Sequence, residues 1–205
     1  MNRSQLEHII RAASRISGDA EIVVIGSQAI HAQTEPLPPI VFQSMEADVY
    51  PRNHPERADD IDGAIGELSD FHQTFGYYAQ GVSPETAILP AGWERRLIRI
   101  SGPNTEGATG LCLDAHDLAL SKYAAGREKD IEFNRELLRH GIVNPQTLAQ
   151  RLPSMPIDDE RKRLILDRFE QRQTPAAASQ SSRWSADPSG EAADPTQSTG
   201  PRQKP

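Results

Sequence analysis

Apolar residues recur at intervals of three and four positions near the start of the chain, and a short continuous apolar run follows them. The spaced residues are Leu6, Ile9, Ile10, Ala13 and Ile16. This periodicity predicts an amphipathic α-helix over residues 4–17 that ends at Gly18. The β-branched run at residues 21–25 comes directly before Gly26 and predicts a buried strand. Ser27 then begins a short predicted helix.

The middle of the chain alternates loop signals with short apolar segments. Three prolines between residues 34 and 39 predict a loop. Residues 59–75 have a helical pattern. The segments predicted to be extended are residues 40–42, 47–50, 77–81 and 97–100. Together these segments predict a small mixed β-sheet.

The pattern becomes helical from Asp114 almost to the end of the chain. The predicted helices cover residues 117–125, 128–139, 145–152 and 158–171. Asp114, Asn144 and Asp158 are predicted amino-terminal caps, and Gly141 is a predicted stop. The sequence therefore predicts an α+β fold, in which a small mixed β-sheet core is flanked by helices and followed by a helical carboxy-terminal half.

The last part of the chain has a different composition from the rest. Residues 173–205 consist largely of Ala, Ser, Pro, Gly, Gln and Thr, and such a segment buries too little apolar surface to offset its chain entropy. We predict one domain at residues 1–172, with its core at about 21–140 and its last helices at 144–172, followed by a disordered tail. Trp184 in the tail is either a surface aromatic or a short docking motif.

The overall composition limits the class of protein. The chain has 205 residues, of which 37% are hydrophobic, so it can form one domain with a substantial core. Its formal net charge of -7 argues against a generally basic surface for nucleic acid. The single cysteine excludes an internal disulfide framework, and no apolar run is long enough to span a bilayer. We therefore expect a cytoplasmic protein with no membrane partner.

Two short motifs carry candidate chemistry. Glu46 and Asp48 are separated by one residue on a predicted strand, so their side chains lie on the same side, while Ala47 and Val49 face the core. Paired carboxylates of this kind bind the divalent metals that phosphoryl-transfer enzymes use. The Gly26-Ser27 pair follows a strand and precedes a helix, where backbone amides are able to meet phosphate oxygens. Each motif alone is common, but their order along the chain makes the combination a more specific indication of a phosphoryl-transfer site.

These motifs resemble those of a known family. Through the segments IVVIGSQAI and MEADVYP, the chain resembles the minimal nucleotidyltransferase superfamily, which has the polymerase-beta-like fold. The later segment DLALSKYAAGREKDIEF is similar to the lysine-bearing helical region of the AbiEii-type toxin branch and its uncharacterised relatives. The resemblance spans residues 21 to about 141, which is most of the predicted domain.

The resemblance implies roles for individual residues. Gly26 and Ser27 would bind the phosphates of a nucleotide. Glu46 and Asp48 would bind Mg²⁺, with Mn²⁺ as a substitute, and Asp48 would be catalytic. Two further catalytic residues are implied in the helical region, namely Lys122, which would reach the triphosphate, and Asp130, the later acid of the toxin branch.

The segment from Lys122 to Asp130 also has a simpler interpretation. Arg127 and Lys129 are placed to hold phosphate or a polynucleotide acceptor, but the whole charged run would also suit a solvated helix face. In an unbroken helix Lys122 and Lys129 would share one face, and Gly126 is a candidate break between them.

Many members of the superfamily carry a third carboxylate on a following strand. Around residues 97–100 this chain has basic residues instead, namely Arg95, Arg96 and Arg99. Glu94 or Asp130 would then replace the third acid, or catalysis would be lost.

Other constellations of polar residues are weaker candidates. Asp59, Asp60 and Asp62 suit a helix start, since acids stabilise the amino terminus and Ile61, Ala64, Ile65 and Leu68 continue with helical spacing. The histidines and Cys112 lack the spacing of a zinc site. The chain contains no nucleophile elbow, phosphate-binding P-loop or dinucleotide fingerprint.

The sequence thus predicts an enzyme that transfers a nucleoside monophosphate from a nucleoside triphosphate to an acceptor hydroxyl. The toxin-branch resemblance implies transfer to the 3′ end of tRNA or to a protein, and a cognate antitoxin as partner. The alternative is a non-catalytic nucleotide-binding sensor or interaction protein on the same fold.

Overall fold

The computed structural model describes residues 1–33 and 36–170. Five strands form one mixed sheet in the order β3-β2-β1-β5-β4. Their bounds are β1 Glu21–Val24, β2 Glu46–Pro51, β3 Tyr78–Gly81, β4 Ile98–Ile100 and β5 Thr109–Cys112. Strand β1 is antiparallel to β2 and parallel to β5, while β2 and β3 are parallel and β4 and β5 antiparallel. The predicted tail, its boundary at residue 172 and Trp184 lie outside the described residues.

Seven α-helices surround this sheet in the described part of the chain. Their bounds are α1 Arg3–Ser17, α2 Ala58–Ile65, α3 Asp70–Phe75, α4 Ala115–Ala125, α5 Glu128–Arg139, α6 Pro145–Arg151 and α7 Asp159–Glu170. Helices α4 to α7 make up the carboxy-terminal half, so the predicted α+β fold with a helical second half is confirmed. None of the described helices is long and apolar enough to cross a membrane.

Local sequence signals account for helix α1. Asn2 and Gln5 form a reciprocal capping box at its start, with the Asn2 side chain accepting from the Gln5 amide at 3.0 Å. At its end Gly18 has a φ of 70°, a left-handed conformation that glycine adopts without steric cost. The apolar face is fully buried through Leu6 and Ile9. The predicted helix and its stop are therefore confirmed.

Two predictions for the middle of the chain are wrong. Residues 40–42 are not extended but belong to the 3₁₀ helix Pro39–Phe42, because proline fixes φ at a value that suits the first helical turn. The predicted helix at 59–75 is split into α2 and α3. Leu68 between them has a φ of 65° and is 77% exposed, so the helical apolar stripe ends at Ile65 and excludes both Ala64 and Leu68.

Strand β5 has no counterpart among the predicted elements. Its sequence, TGLC, contains a glycine and only one large side chain, which is a weak strand signal. A β-carbon at Gly110 would lie 2.4 Å from Ile10 Cδ1, so helix α1 packs directly on the glycine backbone. The strand lies between β1 and β4, and the chain passes from it through Leu113 and Asp114 into α4.

An ion network fixes the start of α4. The Asp114 side chain accepts from the His116 amide at 3.0 Å, which confirms it as the amino-terminal cap. Arg151 on α6 binds both Asp114 and Asp117, and Arg96 binds the fully buried Asp117 at 2.7 Å. Burial alone would raise the pKa of Asp114, but hydrogen bonds from His116 and Arg151 outweigh it and hold that pKa well below its usual range.

Asp114→Asn tests this network, because asparagine retains the cap but removes the charge. A lowered folded-state pKa stabilises the protein above the unfolded-state pKa of about 3.9, and this contribution is lost as the pH falls through the folded-state value. We expect the variant to lose about 1–3 kcal/mol of unfolding free energy at neutral pH, since a charge-assisted pair is removed. Chemical denaturation across the acidic range should show the difference shrinking below about pH 4.

Asp159→Asn is the matched control, because the Asp159 side chain is 88% exposed. Its unfolding free energy should change by less than about 0.5 kcal/mol at each pH. A loss for Asp114→Asn that is the same at neutral and acidic pH would contradict the prediction.

Candidate functional site

The two acids of the MEADVYP segment lie at the start of β2, on the side that faces a cleft. Ala47 and Val49 between and beyond them are 0% exposed, while Glu46 and Asp48 are partly exposed. The alternation predicted for this strand is confirmed. Tyr78 on the neighbouring strand contacts Glu46, with its hydroxyl 3.4 Å from Oε2.

Asp48 is close enough to Glu46 to affect the ionisation of Glu46. Burial raises the pKa of Glu46, and the charge and hydrogen bonding of Asp48 raise it further. Lys129 and Tyr78 act in the opposite direction on Glu46. Burial and the Glu46 charge raise the pKa of Tyr78 to about 12, so its hydroxyl is a neutral hydrogen-bond donor at physiological pH. The pair therefore forms an acidic site that attracts a proton or a cation.

Gly26 lies directly against Asp48. A β-carbon at Gly26 would be 1.6 Å from Asp48 Oδ2, a distance that no side chain permits. The Ile25 amide donates to the Asp48 carbonyl at 3.1 Å, and this bond fixes the register of the two strands at that point. The motif predicted a role for Gly26 in phosphate binding, and the structure adds a second requirement for glycine there, which is room for the carboxylate of Asp48.

Ser27 begins the six-residue 3₁₀ helix Ser27–Ala32. The next residue, Gln28, is fully buried and connects the two motifs. Its side-chain nitrogen Nε2 donates to the Val41 carbonyl at 3.4 Å and to the Ser44 carbonyl at 3.5 Å. Its side-chain oxygen lies 3.0 Å from His31 Nε2. These contacts hold the loop that leads into Glu46.

A second cluster is formed at the joint between α4 and α5. Lys122 Nζ lies 2.9 Å from Asp130 Oδ1, and Arg127 Nε lies 2.6 Å from Asp130 Oδ2. The Lys122 ammonium also lies 4.6 Å from the centre of the Phe133 ring. Asp130 is only 1% exposed, so interpreting the whole segment as a solvated helix face is wrong for this residue.

Gly126 separates the two helices. It has a φ of 72° and ends α4, so the case of an unbroken helix with Lys122 and Lys129 on one face does not occur. The break folds α5 back and brings Asp130 under Lys122. Burial alone would raise the pKa of Asp130, but hydrogen bonds from Arg127 and Lys122 outweigh this effect and lower the pKa below its usual value.

Both clusters line one cleft with a volume of about 840 Å³. All eight residues that the sequence nominated contribute to its walls, namely Gly26, Ser27, Glu46, Asp48, Lys122, Arg127, Lys129 and Asp130. Glu46 and Asp48 come from β2, whereas the cations come from the end of α4 and the start of α5, where Asp130 is paired with two of them. The cleft therefore has one acidic wall and one basic wall.

Residues 97–100, where a third carboxylate was expected, lie too far along the sheet to join the paired acids of β2. Strand β4 is at the opposite edge of the sheet, and the strand beside β2 is β3. There, Gln80 is the register partner of Asp48 and lines the cleft. Glu94 is not among the residues that line it, and Asp130 is engaged by Lys122 and Arg127.

Several lining residues were not identified from the sequence. They are Ser83, Thr86, Ser121 and Glu132, together with Gln80. Nothing in their local sequence marks them, because β3, the loop that follows it and helices α4 and α5 meet only in the folded chain. Asp59 and Asp60 lie in the first turn of α2, which confirms their interpretation as a helix start.

Most of the sequence matches a protein family. Residues 4–169 fit the family described as "Nucleotidyltransferase of unknown function" (DUF6036). No curated protein and no solved structure matches the chain. The matched range covers most of the chain and includes the cleft with both of its charged walls. The chain therefore belongs to this nucleotidyltransferase family.

Proposed function

We propose that this protein transfers a nucleoside monophosphate from a nucleoside triphosphate to an acceptor hydroxyl. The observation that supports this proposal most strongly is that the paired carboxylates of β2 and the cations of α4 and α5 line the same cleft. A triphosphate with a divalent cation needs both kinds of group. Carboxylates hold the metal, and basic groups neutralise the negative charge of the phosphates that the metal does not neutralise.

Glu46 and Asp48 suit a hard divalent cation. Mg²⁺ prefers carboxylate and phosphate oxygens, and these two side chains present closely spaced acidic oxygens at the cleft surface. They would hold Mg²⁺, or Mn²⁺ in its place, and the bound ion would stabilise negative charge that develops on the phosphate oxygens. Gly26 and Ser27 would bind phosphate beside them.

The opposite wall would bind the rest of the triphosphate. Lys122 presents a compact charge on a flexible stem, and Arg127 presents a planar group that matches phosphate oxygens. Lys129, which also acts on Glu46, adds a third cation to this wall. We assign Asp130 to positioning, because its two oxygens hold Lys122 and Arg127 from a buried location.

The proposed reaction is a single displacement at phosphorus. The oxygen of the acceptor hydroxyl forms a bond to the α-phosphorus, and the bond from that phosphorus to the bridging oxygen of the β-phosphate breaks. Pyrophosphate leaves with the bonding electrons, and the hydroxyl proton passes to water.

Following the resemblance of the Lys122–Asp130 segment to the AbiEii-type toxin branch, we propose the 3′ end of tRNA or a protein hydroxyl as acceptor, with a cognate antitoxin as partner.

A second candidate function is that of a sensor that binds the nucleotide without converting it. The observation that favours it is the amide of Gln80 beside Asp48, at a position where a carboxylate would add a metal ligand. In this case the cleft would bind the metal and the nucleotide without transferring the nucleotidyl group.

Labelling with nucleoside triphosphates that are radioactive at the α-phosphate distinguishes these functions. With Mg²⁺ and either total tRNA or lysate protein, the wild type should transfer label to RNA or protein. Asp48→Asn should reduce the transfer at least about 100-fold, since a metal-binding charge is lost. Asp59→Asn on α2, outside the cleft, should retain it. If neither the wild type nor Asp48→Asn transfers label, while both still bind nucleotide, the result would contradict the enzymatic function and support the sensor function.

A double-mutant cycle tests the positioning role of Asp130. Lys122→Met and Asp130→Asn should each weaken nucleotide binding about tenfold or more, because a charge-assisted contact contributes about 1.5–3 kcal/mol. If Asp130 acts through Lys122, the double variant should bind little worse than either single variant. Calorimetric titration measures the affinities, and circular dichroism confirms that each variant is folded. Fully additive losses would show that Asp130 acts independently of Lys122.

A further inference from the structure

The residue beside the acidic pair is an amide. Strands β2 and β3 are parallel, with Glu46 paired to Tyr78 and Asp48 paired to Gln80. Residues paired in register project to the same face of a sheet, and Gln80 is an exposed side chain that lines the cleft. Gln80 is therefore the neighbouring group on the far side of Asp48 from Gly26.

The other carboxylates of the cleft do not join this pair. Both oxygens of Asp130 are occupied, one by Lys122 and one by Arg127. Glu132 lines the cleft from α5, on the basic wall. Among the residues that the structure describes, no three acidic, histidine or cysteine side chains come together in a way that could hold a metal ion.

The number of carboxylates determines how many divalent cations a site of this kind can hold. Two cations about 3.5–4 Å apart repel each other strongly, and sites that bind such pairs clamp them between negatively charged ligands. An amide oxygen is a possible ligand for a hard cation, but it carries no charge to offset this repulsion.

We propose that the site binds one divalent cation per chain together with the nucleotide, and that Gln80 is the residue that excludes a second. The inference rests on the nucleotide-binding part of the proposed function. Glu46 and Asp48 hold the single cation, and the phosphates complete its coordination. The neutral carboxamide of Gln80 then lies beside Asp48, where a second cation would need a charged ligand.

The test counts Mn²⁺ bound to the full chain. Equilibrium dialysis is performed with a nucleotide analogue in both compartments, in which a methylene group replaces the oxygen between the α- and β-phosphates. Electron paramagnetic resonance then reports whether two bound Mn²⁺ ions are coupled. We expect the wild type to bind one Mn²⁺ per chain without coupling. Gln80→Glu, which is nearly isosteric, should bind a second, coupled Mn²⁺ at least about tenfold more tightly than any binding of a second ion that the wild type shows at high Mn²⁺ concentration.

Two control variants separate charge at this position from other effects. Gln80→Ala removes the amide without adding a carboxylate and should still bind one Mn²⁺. Gln73→Glu adds the same charge on α3, outside the cleft, and should also bind one. Two coupled ions in the wild type, or a single ion in a folded Gln80→Glu variant, would overturn the inference while nucleotide binding remains. Absence of both nucleotide and Mn²⁺ from the wild type would overturn the proposed function as well.

Discussion

The close approach of Gly26 to the carboxylate of Asp48 is the constraint on which the rest of the site depends. The space that a β-carbon would need at Gly26 is occupied by Asp48 Oδ2, so the first motif must contain glycine for the second to hold its acid there. The hydrogen bond from the Ile25 amide to the Asp48 carbonyl sets this alignment. A slip of one residue in the pairing of β1 and β2 would turn Glu46 and Asp48 into the core. The Gly-Ser and acid-x-acid motifs are thus two parts of one structural unit.

The basic wall depends on a separate set of contacts. Strand β5 leads into α4, and the buried Asp117 fixes the start of that helix through Arg96 and Arg151. Further along, Asn134 on α5 donates to the Ala119 carbonyl at 2.9 Å, which ties α5 to α4 inside the protein. With both helices fixed and a glycine turn between them, the cationic side chains have a defined location across the cleft from β2. The sheet and the helical half therefore contribute one wall each, and neither forms the site alone.

The sequence predicted the parts of the fold that depend on local signals. The helix that ends at Gly18, the alternation around Glu46 and Asp48, and the caps at Asp114 and Asn144 all follow from residues within a few positions. Features set by distant contacts were missed. Strand β5 is defined by its neighbours in the sheet and not by its sequence TGLC. Gln80 was missed because the sequence of a single strand does not show which strand lies beside it in the sheet. Burial of Asp130 likewise depends on how α5 folds back on α4.

The opposite charge of the two walls has a consequence for how ligands enter the cleft. A free divalent cation would meet Glu46 and Asp48 but also the positive wall across from them, and a free triphosphate would meet the cations but also the paired acids. In the proposed function, the complex of cation and triphosphate would match both walls at once, because its positive centre would face β2 and its excess negative charge would face α4 and α5. Each component should therefore raise the affinity for the other, as linkage requires. The net charge of the chain, -7, disfavours anionic ligands in general, so in the proposed function this local separation of charge would make the cleft selective for metal-bound nucleotides.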